Sequence, residues 1–132
     1  LHSDPAMLWE YWRGAISIDD LRTFWAELIR DHDALAVHRT LVDLRDCEIL
    51  FSGTEWVGAL ESFVVGKGTF SGWRSAIVVD CASHFGMARQ FLLHASNVLD
   101  GEIFNDPEPA IHWLLNTDAV VPYLDGRSFD GR

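Results

Sequence analysis

The chain has 132 residues, ten basic against twenty acidic side chains and a formal net charge of −10, a size that suits one domain and a sign that disfavours nucleic acid and anionic membrane surfaces. Lys67 is the single lysine, the arginines are scattered, and no stretch reads as a signal peptide or is long and apolar enough to span a bilayer. Cys47 and Cys81 do not make a disulfide framework; each follows an apolar run, where a free thiol behaves as a small hydrophobe.

Ala6 to Arg13 reads as a first strand rich in aromatics. Alternation puts Leu8 and Trp12 on one face and Met7, Trp9 and Tyr11 on the other, so both faces are expected to be covered, and Gly14 is expected to break the run. Ser17 with Asp20 has capping-box spacing for a first helix. Its apolar stripe is Leu21, Phe24, Trp25, Leu28 and Ile29, and its end is expected near Asp31 to Asp33. Val37 to Leu44 is a second strand, followed by an expected loop from Arg45 to Phe51. Ser52 with Glu55 is a second capping box, opening a helix that carries Trp56, Val57, Leu60, Phe63 and Val64 and stops at Gly66-Lys67-Gly68.

Trp73 to Asp80 reads as a buried strand, and Ser83 is placed to cap the helix that begins at His84. That helix has the stripe Ala88, Phe91, Leu92, Ala95, Val98 and Leu99, with Leu93 lying off it. Asp100-Gly101 reads as a turn before a very short strand, Glu102 to Phe104. Asp106 as N-cap and Pro107 at the first helical position start a last helix that holds Ala110, Ile111, Trp113, Leu114 and Leu115. Residues 116–132 read as a C-terminal tail with loose last residues. Strands alternating with helices predict a single α/β domain, with a core over about 6–115. The sheet is expected to be mostly parallel, of four to five strands with about four helices.

Several segments together resemble a known family: Leu41-Val42-Asp43-Leu44-Arg45 ending the second strand, Phe85-Gly86-Met87-Ala88-Arg89-Gln90-Phe91 in the third helix, and Ile103-Phe104-Asn105-Asp106 followed by Ala110 and Trp113-Leu114. With Gly14-Ala15-Ile16 before the first helix, they resemble the SpoIIAA-like, or STAS-like, family of small bacterial domains over roughly Leu8 to Leu114. The resemblance implies a sheet of four or five strands with helices packed around it. Its better-studied members are anti-sigma-factor antagonists, switched by phosphorylation of a serine at the start of the helix after the Asp-Leu strand end. The matching region, Phe51-Ser52-Gly53-Thr54-Glu55, puts Ser52 near that place, but the family's Asp-Ser-Ser-Gly-Leu pattern is absent.

Open parallel sheets bind ligands beyond the carboxyl ends of their strands. Those ends supply Asp43, Arg45 and Asp46, then Asp80, Ser83 and His84, with the helix starts at Ser52 and Ser83 suited to a small anion. The plainer reading is that both serines cap helices and the carboxylates face water. Asp80 and His84 could pair as acid and base, but no motif places a nucleophile, so no catalytic residue is assigned. The six histidines include no i,i+4 pair and Cys-x-x-Cys is absent, so no cofactor is called for, and a metal is expected only through long-range convergence. Trp9, Tyr11 and Trp12, with Trp25 and Trp56, are core by periodicity or line an apolar pocket, and Leu93 marks a candidate interface.

The first functional expectation is a non-catalytic binding or regulatory module in the cytoplasm, acting through a protein partner or as a homodimer. The alternatives are a carrier of a small apolar or amphipathic ligand in an aromatic-lined pocket, and an enzyme using the Asp43/Asp80/His84 crevice.

Overall fold

The computed structural model describes residues 7–30, 37–64, 73–96, 98–115 and 125–130. Among them, five strands alternate with four helices: β1 (Leu8–Ile16), α1 (Ile18–Leu28), β2 (Arg39–Ile49), α2 (Gly53–Val64), β3 (Arg74–Val78), α3 (Ala82–Ala95), β4 (Asp100–Phe104), α4 (Pro107–Leu115) and β5 (Asp125–Asp130). All strand pairings are parallel, in the order β4-β3-β2-β1-β5, so the expected α/β class holds.

This order explains the layering. From β1 to β4 each strand lies beside its predecessor in one direction, and right-handed crossovers then put the three intervening helices on one face. The step from β4 to β5 runs back across the whole sheet, which puts α4 on the opposite face. The buried side chains separate in the same way. Leu21, Trp25, Trp56, Leu60 and Phe91 share one core with Leu8, Trp12, Val42 and Ile77. Ala110 and Leu114 pack on Leu41, Ala76 and Val78 in a smaller second core. Within β1 the alternation holds: Leu8 and Trp12 enter the larger core, while Met7 enters the smaller one with Trp9 packed against it.

The expected caps form. In α1 the Asp20 N–H donates to Ser17 Oγ at 3.1 Å and the Ser17 N–H donates to Asp20 Oδ2 at 2.9 Å. In α2 the Glu55 N–H donates to Ser52 Oγ at 3.1 Å and the Ser52 N–H donates to Glu55 Oε1 at 2.9 Å. Asp106 Oδ1 accepts from the Glu108 N–H at 3.1 Å, as an N-cap before Pro107 should. Helix α1 closes at Leu28, earlier than expected. Its last turn tightens, with the Arg30 N–H donating to the Glu27 carbonyl at 3.1 Å; Asp31 to Asp33 lie outside the described residues.

Several expectations are corrected. Gly14 does not break β1: it stays paired opposite Cys47 at φ 73°, a left-handed conformation that glycine adopts without penalty. The expected loop from Arg45 is strand as far as Ile49. Between the pairs Tyr11/Asp43 and Arg13/Asp46, β2 carries one extra residue, a bulge that switches which alternate side chains face the core. Val42 enters the larger core before the bulge and Leu44 within it; after it Cys47 and Ile49 pack there, while Arg45, Asp46 and Glu48 are exposed.

Helix α3 takes Cys81, not Ser83, as its N-cap, because Cys81 has the extended backbone of a capping position (φ −146°, ψ 158°). Ser83 is exposed inside the first turn, and Cys81 is exposed rather than a buried hydrophobe. Asp100 and Gly101 belong to β4, paired with Arg74 and Ser75, and form no turn. From the expected tail, residues 125–130 join the sheet as β5 beside β1. The Gly66-Lys67-Gly68 stop and the side chains of Phe63 and Val64 lie outside the described residues.

Candidate functional site

Strands β2 and β3 end side by side, with Asp43 opposite Val78, so the segments that follow share the carboxyl edge of the sheet. Asp43 is buried, and Arg45 holds it in a fork. Arg45 Nε donates to Oδ1 at 2.9 Å and Nη2 donates to Oδ2 at 2.7 Å, while the Arg45 backbone N–H donates to Oδ1 at 3.2 Å. Burial alone would raise the pKa of this carboxyl. The Arg45 hydrogen bonds and charge, helped by the Trp9 indole, outweigh it and hold the group below its ordinary 3.8. Both oxygens are committed to Arg45, so Asp43 is a structural anion and is poorly placed to act as a general base. The guanidinium is stabilised in turn, first by its hydrogen bond to Asp43 against the cost of burial, then by the charges of Asp43, Asp46 and Asp80.

The other expected crevice residues divide. Ser52 is exposed and occupied in capping α2. Ser83 is exposed on the first turn of α3 and caps nothing. Asp80 and His84 do come together, and Cys81 joins them: each of the three presents a donor atom, all within 4.8 Å of one another. Asp80 and Cys81 are exposed, and His84 is half-buried. Its Nδ1 is shielded from solvent and has no hydrogen-bond partner among the described residues. The convergence is local, not long-range. Its readable signal is Asp80-Cys81-x-x-His84 across the junction of β3 and α3. On neighbouring β2, Cys47 is half-buried and its S–H donates to the Leu44 carbonyl at 3.5 Å. Burial first, then the negative charges of Asp43, Asp46, Asp80 and Cys81, pushes its pKa up to about 12.

A residue that the sequence reading passed over lies under the helices. Glu10 is buried on the same face of β1 as Leu8 and Trp12. Its Oε2 accepts from Thr40 Oγ1 at 2.9 Å and its Oε1 from Trp12 Nε1 at 3.2 Å. Glu10, Thr40 and Ser75 line one side of a cavity whose other walls include Trp25, Trp56 and Trp73. Its volume is about 40 Å³, room for a few waters and far below what an aromatic ligand needs. Trp56 instead ties α2 to α3 by stacking on Phe91, with ring centroids 4.1 Å apart. The period-2 pattern of β1 placed Glu10 on a core face, and that parity was the available signal.

Trp12 is therefore core. Trp9 and Tyr11, on the other face, are half-buried and stack at 5.0 Å. Leu93 is 66 % exposed, and it lines a groove of about 320 Å³ with Phe85, Leu92 and Ile103. The groove runs between α3 and β4, and β4 is an edge strand of the sheet. Arg89 and Glu102 supply its charges.

Fold and site together define a parallel α/β domain with a donor-rich carboxyl edge and an apolar groove beside an edge strand. No protein-family model, no curated protein and no solved structure matches the chain. Among the described residues, no helix is long and apolar enough to cross a membrane.

Proposed function

We propose that the protein is a STAS-like, non-catalytic binding module that takes a basic, extended segment of a protein partner along the edge of β4. The observation that carries the reading is the groove of Phe85, Leu92, Leu93 and Ile103 lying against an edge strand. Such an edge offers backbone donors and acceptors to an added strand, and the groove offers a place for its alternate apolar side chains. Asp100 and Glu102 are exposed on that strand and the chain carries −10 overall, so the complementary segment is basic. The family resemblance supports a regulatory role in the cytoplasm, and two free cysteines fit a reducing compartment. The commitment of Asp43 to Arg45 weighs against the crevice enzyme, and the 40 Å³ cavity weighs against carriage of an apolar ligand.

The test is an amide chemical-shift titration of the full chain with a ten-residue peptide of alternating lysine and valine. Saturable shifts over Asp100 to Phe104 and at Leu92 and Leu93, lost in Ile103→Glu, are the expected result. A peptide of alternating glutamate and valine should leave those amides still. Silence at millimolar peptide, or shifts confined elsewhere, would overturn the reading. Self-association that protects β4 in sedimentation and exchange experiments would instead give the edge to a second copy of the chain.

A further inference from the structure

We propose that Asp80, Cys81 and His84 form a site for a borderline-soft divalent metal of the zinc class, with at least one coordination position left open. The donor set is the first argument. A thiol, an imidazole and a carboxylate suit zinc(II) and its neighbours, and do not suit magnesium or calcium, which take oxygen ligands.

Placement is the second argument. Asp80 follows β3, Cys81 is the extended N-cap of α3, and His84 stands three residues further, on the side of the first turn that neighbours the cap. The strand-to-helix turn thereby brings three donors within 4.8 Å of one another without help from a distant segment. That spread is somewhat wider than a tetrahedral ion needs, and the exposure of Asp80 and Cys81 leaves them free to close on it.

The third argument is independent of clustering. His84 Nδ1 is shielded from water and has no hydrogen-bond partner among the described residues. With no hydrogen bond holding the ring among the described residues, the imidazole is free to offer either nitrogen to an ion. Cys81 makes no capping hydrogen bond, so its sulfur is not engaged in holding the helix. On binding, Cys81 gives its thiol proton to solvent and the sulfur becomes the anionic ligand. Cys47 stays outside the site, with its S–H donated to the Leu44 carbonyl.

The experiment adds cobalt(II), then zinc(II), to the reduced full chain. One equivalent of cobalt should give a thiolate-to-cobalt absorption band, and zinc should abolish it. Cys81→Ser should lose the band, and Cys47→Ser should keep it. His84→Asn and Asp80→Asn should each weaken zinc binding at least about tenfold. Circular dichroism establishes that each variant is folded. Zinc protection of Cys81 from alkylation in the unsubstituted chain reads the same site without any substitution. Absence of both the band and the protection overturns the site, as does a band that follows Cys47 in place of Cys81, or undiminished zinc binding in folded His84→Asn.

Discussion

Arg45 grips the buried carboxylate of Asp43 with Nε at 2.9 Å from Oδ1 and Nη2 at 2.7 Å from Oδ2, two residues along the same strand. Residues two apart on a strand share a face, and at the bulge just past Asp43 the Arg45 side chain folds back onto that carboxylate. Arg45→Ala should cost about 1–3 kcal/mol, because it strands a buried anion without its donors. Arg45→Lys should recover only part of this, since an ammonium cannot make the fork. Urea denaturation at neutral pH measures both.

The same pair sets a pH dependence. The folded-state pKa of Asp43 is lowered, so its contribution to stability is full above the unfolded value near 3.8 and is lost as pH falls through the lower folded value. Wild-type unfolding midpoints should therefore drop more steeply below pH 4 than those of Asp43→Asn. Equal slopes in the two proteins would show that the pair contributes nothing to acid stability.

Ser52→Ala should lower stability by about 1 kcal/mol through loss of the α2 cap. Glu55→Ala should remove the reciprocal bond and cost less, since it leaves the bond from the Glu55 N–H to the serine hydroxyl in place. An unchanged denaturation midpoint in Ser52→Ala would mean that the capping box does not hold in solution.

At Gly101 a Cβ would lie 2.3 Å from Leu92 Cδ2, the far end of a half-buried side chain that can turn toward the open groove, so Gly101→Ala should cost about 1 kcal/mol or less through a displaced Leu92 rotamer. Adding Leu92→Ala to that variant should cost less than Leu92→Ala costs alone. Strict additivity in the four-protein cycle would separate the two residues.

The two thiols should differ sharply in reactivity. Cys81 is exposed, whereas Cys47 is half-buried and burial pushes its thiol pKa up to about 12, so Cys47 offers far less thiolate at pH 8. Iodoacetamide followed by peptide mass mapping should show Cys81 alkylated first. Equal labelling rates would mean that the edge around Cys47 opens readily.

Sequence patterns determined the class of fold and most of its elements. Capping boxes, Pro107 at a helix start and the stripes on α1 and α3 depend on neighbours at most four residues apart, and such interactions are legible in one dimension. The departures all required the third dimension. The extension of β2 was hidden because a bulge reverses the alternation between Leu44 and Cys47, and only pairing with β1 keeps the segment extended. Strand β5 has no apolar alternation in Asp125 to Asp130; its place beside β1 is a backbone matter. For the site, sequence indicated which strand ends would meet, since parallel neighbours must share an edge. Only the tertiary structure decided what each residue does there. It spends Asp43 on Arg45, puts Cys81 at the cap where Ser83 was expected, and turns His84 back toward Asp80 and Cys81. It also decided that Glu10 lies among tryptophans, because the faces of a strand are known from alternation but what covers each face depends on where the crossovers send the helices.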